Sequence, residues 1–158
     1  MLSLYESLEQ HAADRDVKLY TASLPDPIRG LYFSCGDLHT ITLSTALTTS
    51  AERVVVLAEE LGHHHTTPIN LFTAPAPLQR LYERRAAAWA ANALIPLSRI
   101  IAAWEAGVRT PGELAEYLGT TEEFIVRALE LHAARYGPAT RVGDYLITFD
   151  LLHIREAS

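Results

Sequence analysis

The chain has 158 residues, 49% of them hydrophobic, enough to bury one sizeable core, so a single domain over residues 1–158 is expected. A net charge of −6 gives no electrostatic footprint for nucleic acid or an anionic membrane surface. The lone cysteine, Cys35, excludes an internal disulfide and a Cys-based zinc cluster and fits a reducing, cytoplasmic setting.

No apolar run approaches the roughly 18 residues of a membrane span, and residues 1–14 lack the apolar core of a signal peptide. Ser3-Leu-Tyr-Glu6 reads as a capping box opening a helix to about Asp14. Val17 to Ser23 favours a strand. After Pro25 and Pro27, "GLYFS" and "HTITLS" flank the turn Cys35-Gly36-Asp37, the pattern of a β-hairpin. Ile41 and Leu43 alternate with Thr40, Thr42 and Ser44, so one face of that strand is buried.

From Ser50 the period becomes helical. Over Ala51 to His64, Val54, Leu57, Ala58 and Leu61 form an apolar stripe, and Val55 and Val56 add other faces, as in a buried helix. Gly62 is expected to weaken its end, and "TTPINLFTAPAP" reads as a loop. A second long helix is expected from about Leu78 to the break at Pro96, and a third over Leu97 to Ala106. Two shorter helices follow within about 109–136, joined at Gly119, and "YLITFDLLHI" reads as a last strand.

The chemistry concentrates in Glu59-Glu60-Leu61-Gly62-His63. Four residues apart on a helix, Glu59 and His63 share a face, and Glu60 is rotated by about 100° from Glu59. Two such side chains can hold a metal while the glutamate between them reaches the water to be activated. Alone, the pattern also fits a solvated helix end with a run of histidines. A third ligand is offered by Glu83, which shares a stripe with Ala86, Ala87, Ala90 and Leu94. A carboxylate extending a packed face of small residues is costly unless paired or metal-bound. Arg80, Arg84 and Arg85 are its alternative partners.

In order, "GLYFSCGDLHTITLS", "ERVVVLAEELGHHHTT", "YERRAAAWAANALIP" and "ELAEYLGTTEEFIVRAL" resemble the ImmA/IrrE family of metallopeptidases, in the branch carried by phages and mobile elements. The resemblance implies an α+β fold, a small antiparallel sheet packed on a zincin-like helical core, with a C-terminal helical pair resembling a helix-turn-helix. It implies Zn2+, or another divalent metal, held by His63 and Glu83, with Glu60 as general base. It also implies a protein substrate, a repressor whose cleavage relieves repression. A non-catalytic module that binds and inactivates the repressor is the other reading. The chain departs from the family pattern H-E-x-x-H at Glu59, which occupies the first-ligand position. Carboxylate can bind zinc, but one histidine with two carboxylates makes a harder, more anionic site. His64 with Glu60 is an alternative register, which the Leu-Gly spacing disfavours. His64 and His65 join the site only if the helix unwinds near Gly62.

The remaining features carry less. His39, on the hairpin, reads as surface, and Trp89 and Trp104 as core. The second helix of the 109–136 pair opens on Glu122 and Glu123, and the segment holds five acidic residues against three arginines, which argues against reading DNA directly.

Overall fold

The computed structural model describes every residue, Met1–Ser158, and divides into two compact units, Met1–Ala90 and Ala91–Ser158. The fold class is α+β, with six helices and two three-stranded sheets.

The first unit opens with α1 (Leu4–Ala13), closed at its start by the reciprocal Ser3–Glu6 capping box. Three strands follow: β1 (Val17–Ala22), β2 (Gly30–Cys35) and β3 (Leu38–Ser44). The hairpin forms as expected, Gly30 opposite Leu43 and Cys35 opposite Leu38, with Gly36 at φ +58° in the turn. The sheet is not wholly antiparallel. β1 runs parallel to β3, so the order is β1-β3-β2 and the sheet is mixed. The tight turn commits one edge of β3 to β2. The linker with Pro25 and Pro27 carries the chain back, so that β1 meets the other edge in the direction of β3.

Helix α2 (Ser50–Thr66) lies against this sheet and α1. A second capping box, Thr49 with Glu52, starts it. Val54 through Ala58 and Leu61 are all buried, which is why the helix is apolar on nearly every face. It does not weaken at Gly62 but continues through the three histidines to Thr66. Gly62 is buried, and a Cβ there would run into the backbone of Ala86. The glycine is a point of close approach to α3 (Ala76–Leu94), whose small face of Ala86 and Ala90 is buried as the sequence indicated. Helical hydrogen bonding and tertiary packing together outweigh the roughly 1 kcal/mol by which glycine disfavours a helix.

In the second unit, α4 (Leu97–Glu105) precedes the expected pair α5 (Pro111–Leu118) and α6 (Glu122–Tyr136). Pro111 in the first turn and Gly119 at φ +74° punctuate α5. Leu114, Leu118, Ile125 and Leu129 are buried on α5 and α6, which pack against each other. The expected last strand is two strands, β5 (Tyr145–Thr148) and β6 (His153–Glu156), separated by a turn that begins at the buried Phe149. A strand the sequence did not suggest, β4 (Ala139–Val142), completes an antiparallel sheet. No single helix is long and apolar enough to cross a membrane.

Candidate active site

The last two turns of α2 hold the acidic pair and the histidines, and the helix-to-helix contact decides what they face. Because Gly62 lets α3 approach closely, Glu83, one turn before Ala86, reaches the next residue of α2. His63 Nε2 and Glu83 Oε2 are 3.2 Å apart, an ion pair when the imidazole is protonated. Glu83 therefore pairs with His63 instead of with an arginine of its own helix. On the other side of the ring, His63 Nδ1 lies 3.0 Å from Thr67 Oγ1. The His63 side chain is largely covered, 12% exposed, while Glu83 at 62% remains open to incoming groups.

Glu60 sits under β2. A Cβ on Gly30 would meet Val56 Cγ1 first, at 2.5 Å, and would fall 3.0 Å from Glu60 Cγ and 3.1 Å from Oε1, so the glycine lets β2 pass close over Val56 and the Glu60 carboxyl. Burial pushes the Glu60 carboxyl up to about 7, helped by the negative charges of Glu59 and Glu83. The imidazole of His63 and the backbone N–H of Tyr32 pull the other way without cancelling it. For His63, burial works against the charged ring, but the hydrogen bond to Glu83 and the charges of Glu60, Glu83 and Glu59 outweigh it, so its pKa is raised. The hydrogen bond from His63 lowers Glu83. Glu60, His63 and Glu83 are thus electrostatically coupled, with a proton held in the neutral range.

A second cluster lies beside the first and was not legible as such in the sequence. Tyr32 OH bridges His39 Nδ1 at 2.8 Å and His64 Nδ1 at 2.9 Å. His65 Nε2 meets His11 Nε2 at 2.8 Å, and its ring stacks on Trp89. Arg15 Nη1 lies 3.3 Å from His11 Nδ1. An arginine only donates, so His11 Nδ1 accepts, its proton resides on Nε2 and is given to His65 Nε2, and His65 keeps its own proton on Nδ1. Burial comes first in lowering His65, to about 4, and in lowering His11 and His64, and the charge that a neighbouring ring would carry if protonated adds to it, as does Arg15. His39 is therefore a hydrogen-bonded member of this cluster and not plain surface. Trp89 is half-buried against histidine and not core, and Trp104 is half-buried beneath the Arg109 guanidinium. Because α2 stays helical, His64 and His65 face away from Glu83, into this cluster. Cys35 is exposed and free.

A model of the IrrE N-terminal-like domain family, Peptidase_M78, matches residues 12–130. The chain belongs to this family. The match covers α1 from its last two residues through most of α6, and so Glu59, Glu60, His63, Thr67 and Glu83, though not His11. No curated protein matches the chain. The IrrE-like family is of metallopeptidase type and typically metal-dependent, and this chain can be tested for its fit to a metal. The 3.2 Å between His63 Nε2 and Glu83 Oε2 is close to the roughly 3.3 Å edge between two ligands of a tetrahedral ion with bonds of about 2.0–2.1 Å. Thr67 supplies the outer hydrogen bond that a ligating histidine requires. Two of the residues expected as ligands are therefore brought together, here in direct contact with each other. The third is not assembled with them: no three His, Cys, Asp or Glu side chains stand grouped as a set that could hold a metal ion. Glu59, half-buried one turn before His63, has interactions of its own.

Proposed function

We propose that this IrrE-like domain is a metal-dependent endopeptidase. Zn2+ is the ion we assign to His63 and Glu83, with Glu59 as the third ligand. When bound, such an ion polarises the scissile carbonyl and acidifies water. The observation that carries the reading is the placement of Glu60, under Gly30 of β2 and three residues before the paired His63, where burial raises its carboxyl to about 7. A general base works best with a pKa near the operating pH. Glu60 takes a proton from the attacking water at a carboxylate oxygen and passes it to the nitrogen of the departing amine. The exposed Glu83 marks the side from which a peptide enters, and the backbone N–H of Tyr32 steadies the Glu60 carboxylate.

The substrate we infer is a repressor of helix-turn-helix type encoded on the same phage or mobile element, cleaved in the cytoplasm. This rests on the family resemblance of the motifs. The test is co-expression of the chain with such repressors. Fragments should appear with the wild type and not with Glu60→Gln. A second reading rests on Glu59, which stands where the family pattern has its first histidine. In that case the domain binds and inactivates the repressor without cutting it, and repression is lifted by both proteins with no fragment.

A further inference from the structure

The loop between α2 and α3 has no regular structure and is nevertheless tied down. The Phe72 N–H donates to Asn70 Oδ1 at 3.0 Å. The Gln79 amide, on the first turn of α3, donates to two carbonyls of the loop, Leu71 at 2.8 Å and Ala74 at 2.9 Å. What the loop holds out is the Phe72 ring, 75% exposed. Fixing the backbone of an aromatic residue while its ring stays in water gains nothing for the fold itself.

Helix α3 adds to this surface. It turns Ala86 and Ala90 inward, and its opposite face carries Leu78, Arg80, Leu81, Arg84 and Arg85, all exposed. Arg80 lies three residues before Glu83 and about 60° round the helix from it, so this face begins where the candidate active site ends. The Arg85 guanidinium stands 5.2 Å from the centre of the Tyr82 ring. None of the ion pairs of the fold takes in Arg80, Arg84 or Arg85. The whole chain has 19 acidic residues against 13 basic ones, so a stretch with three arginines runs against its general charge. The one carboxylate in that stretch, Glu83, is already turned to His63.

We propose that Phe72, Leu78 and Leu81 with the three arginines form a docking surface for an acidic, apolar segment of the protein substrate, beside the opening at Glu83. The proposal rests on the endopeptidase reading of the domain. Charge complementarity selects the partner: guanidinium groups in no internal ion pair match carboxylates brought from outside, which they can grip with two hydrogen bonds at once. The apolar side chains between them take up the aliphatic and aromatic residues of the same segment, and arginine and aromatic residues are those that protein interfaces concentrate. A nucleic acid fits less well, because a phosphate backbone has no use for Leu78 and Leu81, and the net charge of −6 repels it.

The test measures binding of labelled peptides to the full-length Glu60→Gln protein by fluorescence anisotropy, and cleavage of the same peptides by zinc-supplemented wild type. One peptide alternates glutamate with leucine and phenylalanine. A second has lysine for every glutamate, and a third has serine for every apolar residue. The first should bind at least about tenfold more tightly than either control, and its affinity should fall as salt is added. Joint replacement Arg80→Ala and Arg84→Ala, and separately Phe72→Ala, should each weaken it by about tenfold. Arg155→Ala, in the second unit, should leave it unchanged. All these side chains are exposed, and thermal melts equal to the parent protein's will show that the fold is kept. Equal binding of the three peptides, or binding unmoved by the loop and α3 variants, overturns the docking surface. Tighter binding of a DNA duplex or of phosphatidylserine vesicles than of the acidic peptide overturns it too. Selective binding with no cleavage by the wild type overturns the endopeptidase reading alone and leaves a surface that captures its partner uncut.

Discussion

Replacing Gly62 by alanine sets two effects of opposite sign against each other, and the structure says which wins. In a helix interior alanine is favoured over glycine by about 1 kcal/mol. At position 62 the added methyl would overlap the carbonyl of Ala86 and approach its C and Cα atoms to 2.9 Å. These are backbone atoms of a packed helix, which cannot rotate aside as a flexible side chain would. Overpacking of this kind costs about 1–3 kcal/mol, with the upper end appropriate to a backbone obstacle. The net loss should be about 2 kcal/mol, or roughly 4–8 °C in melting temperature for a chain of this size. Urea and thermal unfolding of the metal-free proteins would measure it. The same displacement would part His63 from Glu83, so bound zinc should fall as well. A Gly62→Ala protein that melts at or above the wild-type temperature would refute the close approach of α2 and α3, and with it the geometry of the site.

Elemental analysis after purification without chelator should find about one divalent ion per chain, lost in His63→Ala; unchanged metal in that variant would remove His63 from the site. Glu60→Gln should abolish proteolysis while retaining fold and metal, and cleavage by that variant would exclude Glu60 as the base. Glu59→Ala should lose metal affinity and Glu59→His should bind zinc at least as tightly as wild type, whereas two destabilised proteins with unaltered affinity would place Glu59 in a structural pairing instead. In metal-free protein, the Glu60 carboxyl, raised from 4.5 to about 7, favours the folded state most below pH 4.5, and that contribution is lost as pH rises toward 7. The urea midpoint of the wild type should therefore decline relative to Glu60→Gln between pH 5 and 7.5, and parallel profiles would show that Glu60 is not buried as described.

The candidate site was legible in the sequence as a local pattern, and the structure adds the contact between His63 and Glu83. Glu59, Glu60 and His63 follow from helical spacing, and Glu83 from its place on a face of alanines, because both patterns need only a 3.6-residue period. Gly62 was misjudged because sequence reports its helix propensity and not the helix packed against it. The direction of β1 was hidden for a related reason: strand periodicity states which residues are buried but not which edge a strand joins. The cluster joins the β2–β3 hairpin, through Tyr32 and His39, to α1 and α2, through His11, His64 and His65, and no spacing rule reaches from the hairpin to the helices. β4 was missed because four residues, two of them polar, are too short for an alternating pattern to emerge.

The three consecutive histidines of α2 have three separate destinations: His63 goes to Glu83 on α3, His64 to Tyr32 on β2, and His65 to His11 on α1. Their side chains are identical, so a slip of the helix by one residue would still present an imidazole to two of the three destinations. The acidic pair is almost as permissive, since Glu60 would then stand where Glu59 does. What the slip cannot reproduce is the gap facing Ala86, because Leu61 and His63, on either side of Gly62, both carry a Cβ. The histidine run is a word with repeated letters, and a single missing methyl group tells the fold where to begin reading it.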